Sequence, residues 1–325
     1  MNLLEKFNNV EIKADSRVSE EDRLYCQVTE KSYCKSIDAL IAMAGYAQGF
    51  VDEQSEILSE LYPEEKKKLY RDDFLGDYGF DPEKYTDHVK SAHRQFITRV
   101  IEHFSSLYKC TLDADDACEK LVPQKPEFND NRFYSRGYTR GWKDWTDEEM
   151  AEYKAEQEEH RKMVAEYEKN IISLRIPYTD ILDQIFIQLG GFSFQDKALL
   201  EMKERCHKAA WSSYKGEKEY EQKKAVLSFT GYACHYSSWG RGMQLSDGMK
   251  HIMEALSYFE TGVMGNVMYP LSSFCGYEFE NFDVSVDSEK IKSVKCFKNG
   301  RVDIRFQSEA LAREFSETFL GLDAA

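Results

Sequence analysis

Val89, Phe96, Val100, Phe104 and Leu107 are separated by seven, four, four and three residues. That is the repeat of one face of an α-helix and not of a strand. The same period runs through "SIDALIAMAGYAQGFVDEQSEILSELY", which begins at Ser36 and is closed by Pro63. It returns after Thr146 and Glu149, whose Ser/Thr-x-x-Glu spacing is a capping box. From there Met150, Tyr153, His160, Val164, Tyr167, Ile171 and Leu174 form a heptad-like seam, polar at Gln157, that Pro177 ends. The seam is weak at its start and firm at its end, so the first half of this helix is expected to project. His160 reads as a partly exposed seam residue, not as a ligand or base.

Further helices are expected over 84–109, after the acidic start "DADDACEKLV", in "YTDILDQIFIQLGG" with Gly190 or Gly191 as its cap, over 195–214, over 217–238, and from about residue 246 through "GMKHIMEALSYFETG". Residues 1–30 read as polar strand or loop. The end of the chain changes period. "NFDVSVD" alternates like a strand, and "IKSVKCFKNGRVDIRF" reads as a hairpin turning at Asn299-Gly300 through a type I′ loop. "SEALAREFSETFLG" then closes as a helix. The expected fold is α+β but mostly α-helical: a helical body with a small C-terminal antiparallel β-hairpin and a closing helix. Four parts are expected: an N-terminal helical part, 1–122; a basic–aromatic segment with its projecting helix, 123–175; a second helical part, 176–277; and the hairpin with its helix, 278–325.

The 325 residues carry a net charge of −15, with 42 % apolar and 14 % aromatic residues, enough for a packed core. The acidic balance argues against a protein that coats nucleic acid over its whole surface. The opening "MNLLEKFNNVEIKADS" has no apolar run of a signal peptide, and no stretch approaches the roughly 20 apolar residues of a membrane helix. A cytoplasmic protein without a membrane partner is expected. The eight cysteines lack the short Cys-x-x-Cys knuckle of zinc sites. The dipeptides Cys206-His207 and Cys234-His235 each offer one inward ligand at most, so buried free thiols are the expected state.

There is no Gly-x-x-x-x-Gly-Lys-Ser/Thr loop, no Gly-x-Ser-x-Gly elbow and no His-Glu-x-x-His helix. "LGGFSF" follows a helix, and "WGRGMQ" has a Gly-x-Gly pair with nothing after it. No catalytic residue, metal ligand or cofactor can be assigned.

Two basic segments stand out. "NRFYSRGYTRGWKDW", residues 131–145, sets Arg132, Arg136, Arg140 and Lys143 against Asp144 for a net of +3. Gly137 and Gly141 disfavour a helix there. An extended chain would place Tyr134, Arg136, Tyr138, Arg140 and Trp142 on one face. Such a face can stack unpaired bases and contact phosphate. It can also satisfy itself through cation–π contacts and pairing with Asp147, Glu148, Glu149 and Glu152. Residues 290–305 hold Lys290, Lys292, Lys295, Lys298, Arg301 and Arg305 against Asp303 for +5, so the remainder of the chain carries −23. Lysines on a short sheet edge also serve to block aggregation.

The hairpin "VKCFKNGRVDIRF" resembles the one that closes an uncharacterised family of phage- and plasmid-borne bacterial proteins, some of them associated with DNA adenine methyltransferases. Phe297, Lys298, Asn299, Gly300 and Phe306 match that pattern. Arg301 and Asp303 stand where the family has Asn and His. The resemblance implies a mobile-element setting and carries over no catalytic residue. The expected function is that of a non-enzymatic, nucleic-acid-associated protein. Its candidate contacts are Arg132, Arg136, Tyr138, Arg140, Trp142, Lys143, Lys295, Lys298, Arg301 and Arg305. Two alternatives stand beside it: an acidic factor that engages a basic host protein, and a DNA-modifying or methyltransferase-associated enzyme.

Overall fold

The computed structural model describes residues 17–59, 85–128, 145–211, 217–230, 232–236, 242–276 and 278–321. The expected polar connector around 64–85 and nearly all of the basic–aromatic segment therefore lie outside the described residues. Eight α-helices and seven strands are present among those described. The α+β, mostly helical fold is as expected. The chain divides into two compact units. One comprises residues 1–103 with 112–188, the other 104–111 with 189–325.

Among the described residues the first unit holds helices and no strand. Its helices are α1 (Glu20–Ser59), α2 (Tyr85–Tyr108, which extends past the division), α3 (Ala114–Leu121), α4 (Asp147–Ser173) and α5 (Tyr178–Leu189). Helix α1 starts sixteen residues before the expected Ser36. Its inward stripe opens with Asp22 and Cys26 before reaching Tyr33 and Ile37, so a carboxylate and a thiol conceal the apolar period. Buried Asp22 is satisfied locally. Its backbone N–H donates to Ser19 Oγ at 3.1 Å, the Ser19 hydroxyl donates to its Oδ2 at 2.6 Å, and His103 Nε2 lies 2.8 Å from its Oδ1. Three acids in the first turn face the positive end of the helix dipole.

Helix α3 is capped by Asp113, whose side chain accepts from the N–H groups of Asp115 and Asp116. Helix α4 starts with the Thr146–Glu149 capping box in both directions. Its seam is buried only at Tyr167 and Ile171, the firm end. His160 is half-buried, with Nε2 at 3.1 Å from the Pro126 carbonyl.

A chain of hydrogen bonds crosses the centre of this unit. Ile176 N–H donates to Tyr33 Oη at 3.2 Å, and Tyr33 Oη lies 2.8 Å from His93 Nδ1. His93 Nε2 lies 2.9 Å from the Ile171 carbonyl. A carbonyl only accepts, so Nε2 carries the proton and Nδ1 receives the tyrosine hydroxyl. The imidazole is neutral, and burial holds its pKa below the usual value. Phe96 stacks on Tyr33 at 4.3 Å between ring centroids.

The second unit sets helices against a sheet. Helices α6 (Phe194–Ala210) and α7 (Asp247–Thr261) belong to the same buried cluster as strands β2 (Val226–Phe229), β6 (Ile291–Cys296) and β7 (Val302–Phe306). The antiparallel sheet runs β1-β2-β7-β6-β5, with β1 at Tyr220–Lys223 and β5 at Asp283–Ser285. Strands β3 (Cys234–Tyr236) and β4 (Met243–Leu245) form a separate pair. Helix α8 (Glu309–Phe315) runs into a π-turn at Ser316–Leu320.

Two expectations are corrected here. Residues 217–238 are not a helix. They hold β1, β2 and β3, because the open edge of β7 pairs with Val226 to Phe229 in register. The glutamates and lysines that suggested a helix occupy outward strand positions such as Glu221 and Lys223. The terminal hairpin therefore supplies two strands of a five-stranded sheet, and residues of the expected 176–277 and 278–325 parts share it.

The hairpin turn is also not type I′. Of Asn299 and Gly300 only Gly300 has a positive φ, at 87°. Gly300 N–H donates to the Phe297 carbonyl at 2.9 Å, and Phe297 N–H to the Arg301 carbonyl at 2.8 Å. That is the three-residue loop in which a type I turn precedes a glycine bulge.

His93→Ala removes two buried hydrogen bonds and leaves a cavity, a loss of about 3 kcal/mol read by chemical denaturation. Unfolding returns His93 to its ordinary value, so the unfolded chain takes up a proton that the folded chain refuses. This contribution is complete above about pH 6.5 and is lost as pH falls below it. His93→Gln, which cannot titrate there, should show a smaller drop in midpoint on acidification than the native chain.

Candidate interaction surface

Of the residues the sequence nominates, Arg132, Arg136, Tyr138, Arg140, Trp142 and Lys143 lie outside the described residues. Trp145, just after them, meets Tyr153 edge-on at 5.7 Å between ring centroids.

The hairpin cations are placed. Lys295 pairs with Asp283 at 2.9 Å and lies 5.7 Å from the Phe297 ring centre. The Arg301 guanidinium lies 3.9 Å over the same ring. Its Nε is 3.1 Å from Asp303 Oδ1, close enough for charge attraction but not aligned as a hydrogen bond. Lys290 turns inward to the Phe259 carbonyl and ring. Lys298 and Arg305 are exposed.

The register decides what these charges amount to. Rows across the sheet align Lys223, Val226, Arg305, Ser293 and Ser285, and next to them Glu221, Ser228, Asp303, Lys295 and Asp283. Strand parity puts all of these on the outward face, with Arg301 beyond them. On these rows four cations (Lys223, Lys295, Arg301, Arg305) meet three anions (Glu221, Asp283, Asp303) for a net of +1, with Lys292 and Lys298 exposed outside them. A nearly neutral chequerboard gives little long-range pull on phosphate.

No catalytic constellation forms among the described polar clusters. Ser19, Asp22 and His103 have the residue types of a hydrolytic triad, but the carboxylate sits in the middle and binds both partners. A nucleophile needs its hydroxyl on the histidine, so this cluster is a helix cap. His103 is further covered by Tyr25, stacked at 3.8 Å. No group of three or more His, Cys, Asp or Glu side chains among the described residues is placed to hold a metal ion. Cys206 is buried against the His251 carbonyl at 3.5 Å, and burial pushes its thiol up to about 12.

The feature that remains is on α1. Beyond Ile37 no described side chain of this helix is buried, although the segment is rich in apolar residues. At about 100° per residue, Met43, Tyr46, Phe50 and Ile57 fall within a sector of about 60°. The inward stripe of Cys26, Tyr33 and Ile37 is centred on the order of 130° away. Helix α1 therefore carries two apolar stripes, and its buried residues lie on one of them. On the second, Met43 is 53 % exposed, Tyr46 81 % and Ile57 54 %. Towards the N-terminus the same sector carries exposed Val28 and then polar Ser32, which ends the apolar run.

The charge of this segment is one-sided. Residues 39–59 contain Asp52, Glu53 and Glu56 and no lysine or arginine. Gly45 and Gly49 add a smooth patch, where a Cβ would meet nothing within 4 Å. The sequence alone places one helix here but not its second stripe. The signal was the coexistence of two apolar repeats in a single span.

No helix of the described residues is long and apolar enough to cross a membrane. Comparison with models of protein families, with curated proteins and with solved structures finds no match to this chain.

Glycine is worth about 1 kcal/mol less than alanine inside a helix. With open space at both positions, Gly45→Ala and Gly49→Ala should each stabilise the chain by about that amount against denaturant.

Proposed function

We propose that this protein is a non-enzymatic binding protein whose second α1 stripe receives a basic amphipathic helix of another protein. The observation that supports this reading is the exposed Met43–Tyr46–Ile57 stripe on a segment with three acids and no basic residue. An apolar seam of this spacing suits a helix laid alongside it, and flanking charges select the partner. Of the three acids Glu53 lies beside the stripe, about 50° from its centre, where its charge favours a lysine or arginine on the partner and disfavours a second copy of the same segment.

The test uses the full-length chain and a labelled synthetic peptide: a leucine-seamed amphipathic helix flanked by lysine and arginine, with a glutamate-flanked twin. Anisotropy should show binding of the basic peptide, weakened by salt, and none of the acidic twin. Changing Met43 and Tyr46 together to glutamate should abolish binding without altering far-ultraviolet circular dichroism, since neither side chain contributes to the core. Equal binding of both peptides would overturn the reading. So would self-association in sedimentation that disappears in the same variant, because a second copy would then cover the stripe.

Nucleic-acid association is a second reading, favoured by the +3 charge and aromatic content of residues 131–145. It predicts salt-sensitive binding of single-stranded DNA that is lost when Arg136, Arg140 and Trp142 are changed together, and kept when Lys295 and Arg301 are changed to alanine. The mobile-element setting implied by the hairpin resemblance accords with either reading.

A further inference from the structure

Within the first unit a cavity opens between α1 and α2. Helix α1 lines it with Thr29, Ser32, Tyr33 and Ser36, and α2 with Ala92, Gln95, Phe96 and Arg99. Both sets have the spacing i, i+3, i+4, i+7 of one helix face. Tyr25 stacks on His103 and Tyr33 on Phe96, so the two helices run antiparallel along this seam. A seam at that spacing is ordinarily apolar. Here buried Tyr33 and Phe96 close the floor, while hydroxyls, an amide and a guanidinium form the rim.

We infer that this cavity is a binding site for a small phosphate-type oxyanion, either inorganic phosphate or the phosphate group of a monoester. Its free polar groups are donors. The Ser36 hydroxyl is engaged by the Ser32 backbone carbonyl at 3.0 Å, and one Gln95 side-chain N–H reaches Ser91 Oγ at 3.4 Å. The hydroxyls of Thr29 and Ser32 and the guanidinium of Arg99 have no partner among the described residues. No carboxylate lines the cavity. Glu30, next to Thr29 in sequence, accepts the Tyr178 N–H. Glu102, almost one turn beyond Arg99, makes no ion pair with it. Acids outnumber lysine and arginine by 58 to 43 in this chain, so Arg99 is not left unpaired for want of acids.

The guanidinium is a planar fork whose parallel N–H donors match two oxygens of a tetrahedral anion. Thr29 and Ser32 each supply one O–H, and the second Gln95 N–H remains for a further bond. Exposed Lys31 and Lys35, beside Ser32 and Ser36 in sequence, raise the local potential against the acidic balance of the chain. The empty space is about 330 Å³ including its open mouth, room for one phosphate group and at the lower end for an organic ligand. An anion held there keeps one side in water, so binding is weak and falls with salt.

The test titrates the full-length chain with inorganic phosphate, holding ionic strength constant with chloride, and follows the thermal midpoint. The midpoint should rise and saturate. At ten times the dissociation constant the ratio of folded to unfolded chain increases about tenfold. Phosphate also stabilises proteins without binding a site, so two variants separate the effects. Arg99→Gln, at an exposed position, should abolish the saturable rise, and Arg94→Gln, one turn earlier, should keep it. A second readout uses phenylglyoxal, which modifies free guanidinium groups and blocks trypsin there. Modification of Arg99 leaves the peptide from Gln95 to Lys109 uncut, and phosphate should slow its appearance saturably. Repeating the titration with phenyl phosphate distinguishes the sources: tighter binding than phosphate assigns the site to a monoester, and weaker binding to the free anion. No saturable rise, an equal rise in Arg99→Gln, or modification of Arg99 at the same rate with phosphate present would each overturn the inference.

Discussion

A neutral histidine holds the first unit together. His93, on α2, receives the hydroxyl of Tyr33 from α1 and gives its own proton to Ile171 at the end of α4. Tyr33 in turn receives the N–H of Ile176 in the connection to α5. Each group in this line has one role, so its direction cannot be reversed without a second proton. A protonated ring would have two donors, one aimed at a hydroxyl whose own proton points back at it. Burial of the ring and this directed bonding therefore act together, and both favour the neutral form. The line joins segments that are 60 and 78 residues apart in sequence. The apolar residues around it, Ile37, Val89, Phe96 and Ile171, pack onto a frame already fixed in angle.

What the sequence made legible is what depends on neighbours. Thr146 and Glu149 announced the start of α4, and Gly262 ends α7 at a positive φ of 69°. The period of Val89, Phe96 and Val100 placed α2 nearly to its ends. Two of the misses share one cause: each depended on residues far away. Asp22 looks like a surface residue until Ser19 and His103 are brought to it. Lys223 and Glu221 look helical until β7 offers its edge. Even Asn299-Gly300, a local signal, yielded the right turn position but the wrong type, because only Gly300 takes the left-handed conformation.

The candidate contacts behave the same way. Lys295, Arg301 and Arg305 form a cationic cluster around Asp303 when read along the chain, and strand pairing adds Asp283 beside Lys295. On those rows the charge segregation of the sequence is offset in space. Antiparallel pairing does this generally, since it interleaves residues of two segments at spacings of about 5 Å, inside a Debye length. The α1 segment is the opposite case. A helix exposing one stripe keeps the charge pattern of its own sequence, and residues 39–59 carry three acids and no lysine or arginine.

That contrast bears on how tightly a partner could be held. Full burial of a side chain such as Met43 or Ile57 contributes about 2 kcal/mol, and Tyr46 a similar amount. Their sum, about 6 kcal/mol, is comparable with the several kcal/mol that association costs in lost freedom. Apolar burial on this stripe alone therefore yields a weak and short-lived complex. Gly45 and Gly49 weaken the helix further, so a partner would also have to offset that softness. What can tip the balance is charge. A lysine or arginine brought beside Glu53 adds on the order of 0.5 kcal/mol, and the acidic segment as a whole speeds encounter. The stripe supplies register, and the acids supply discrimination: an apolar partner without positive flanks gains too little to stay.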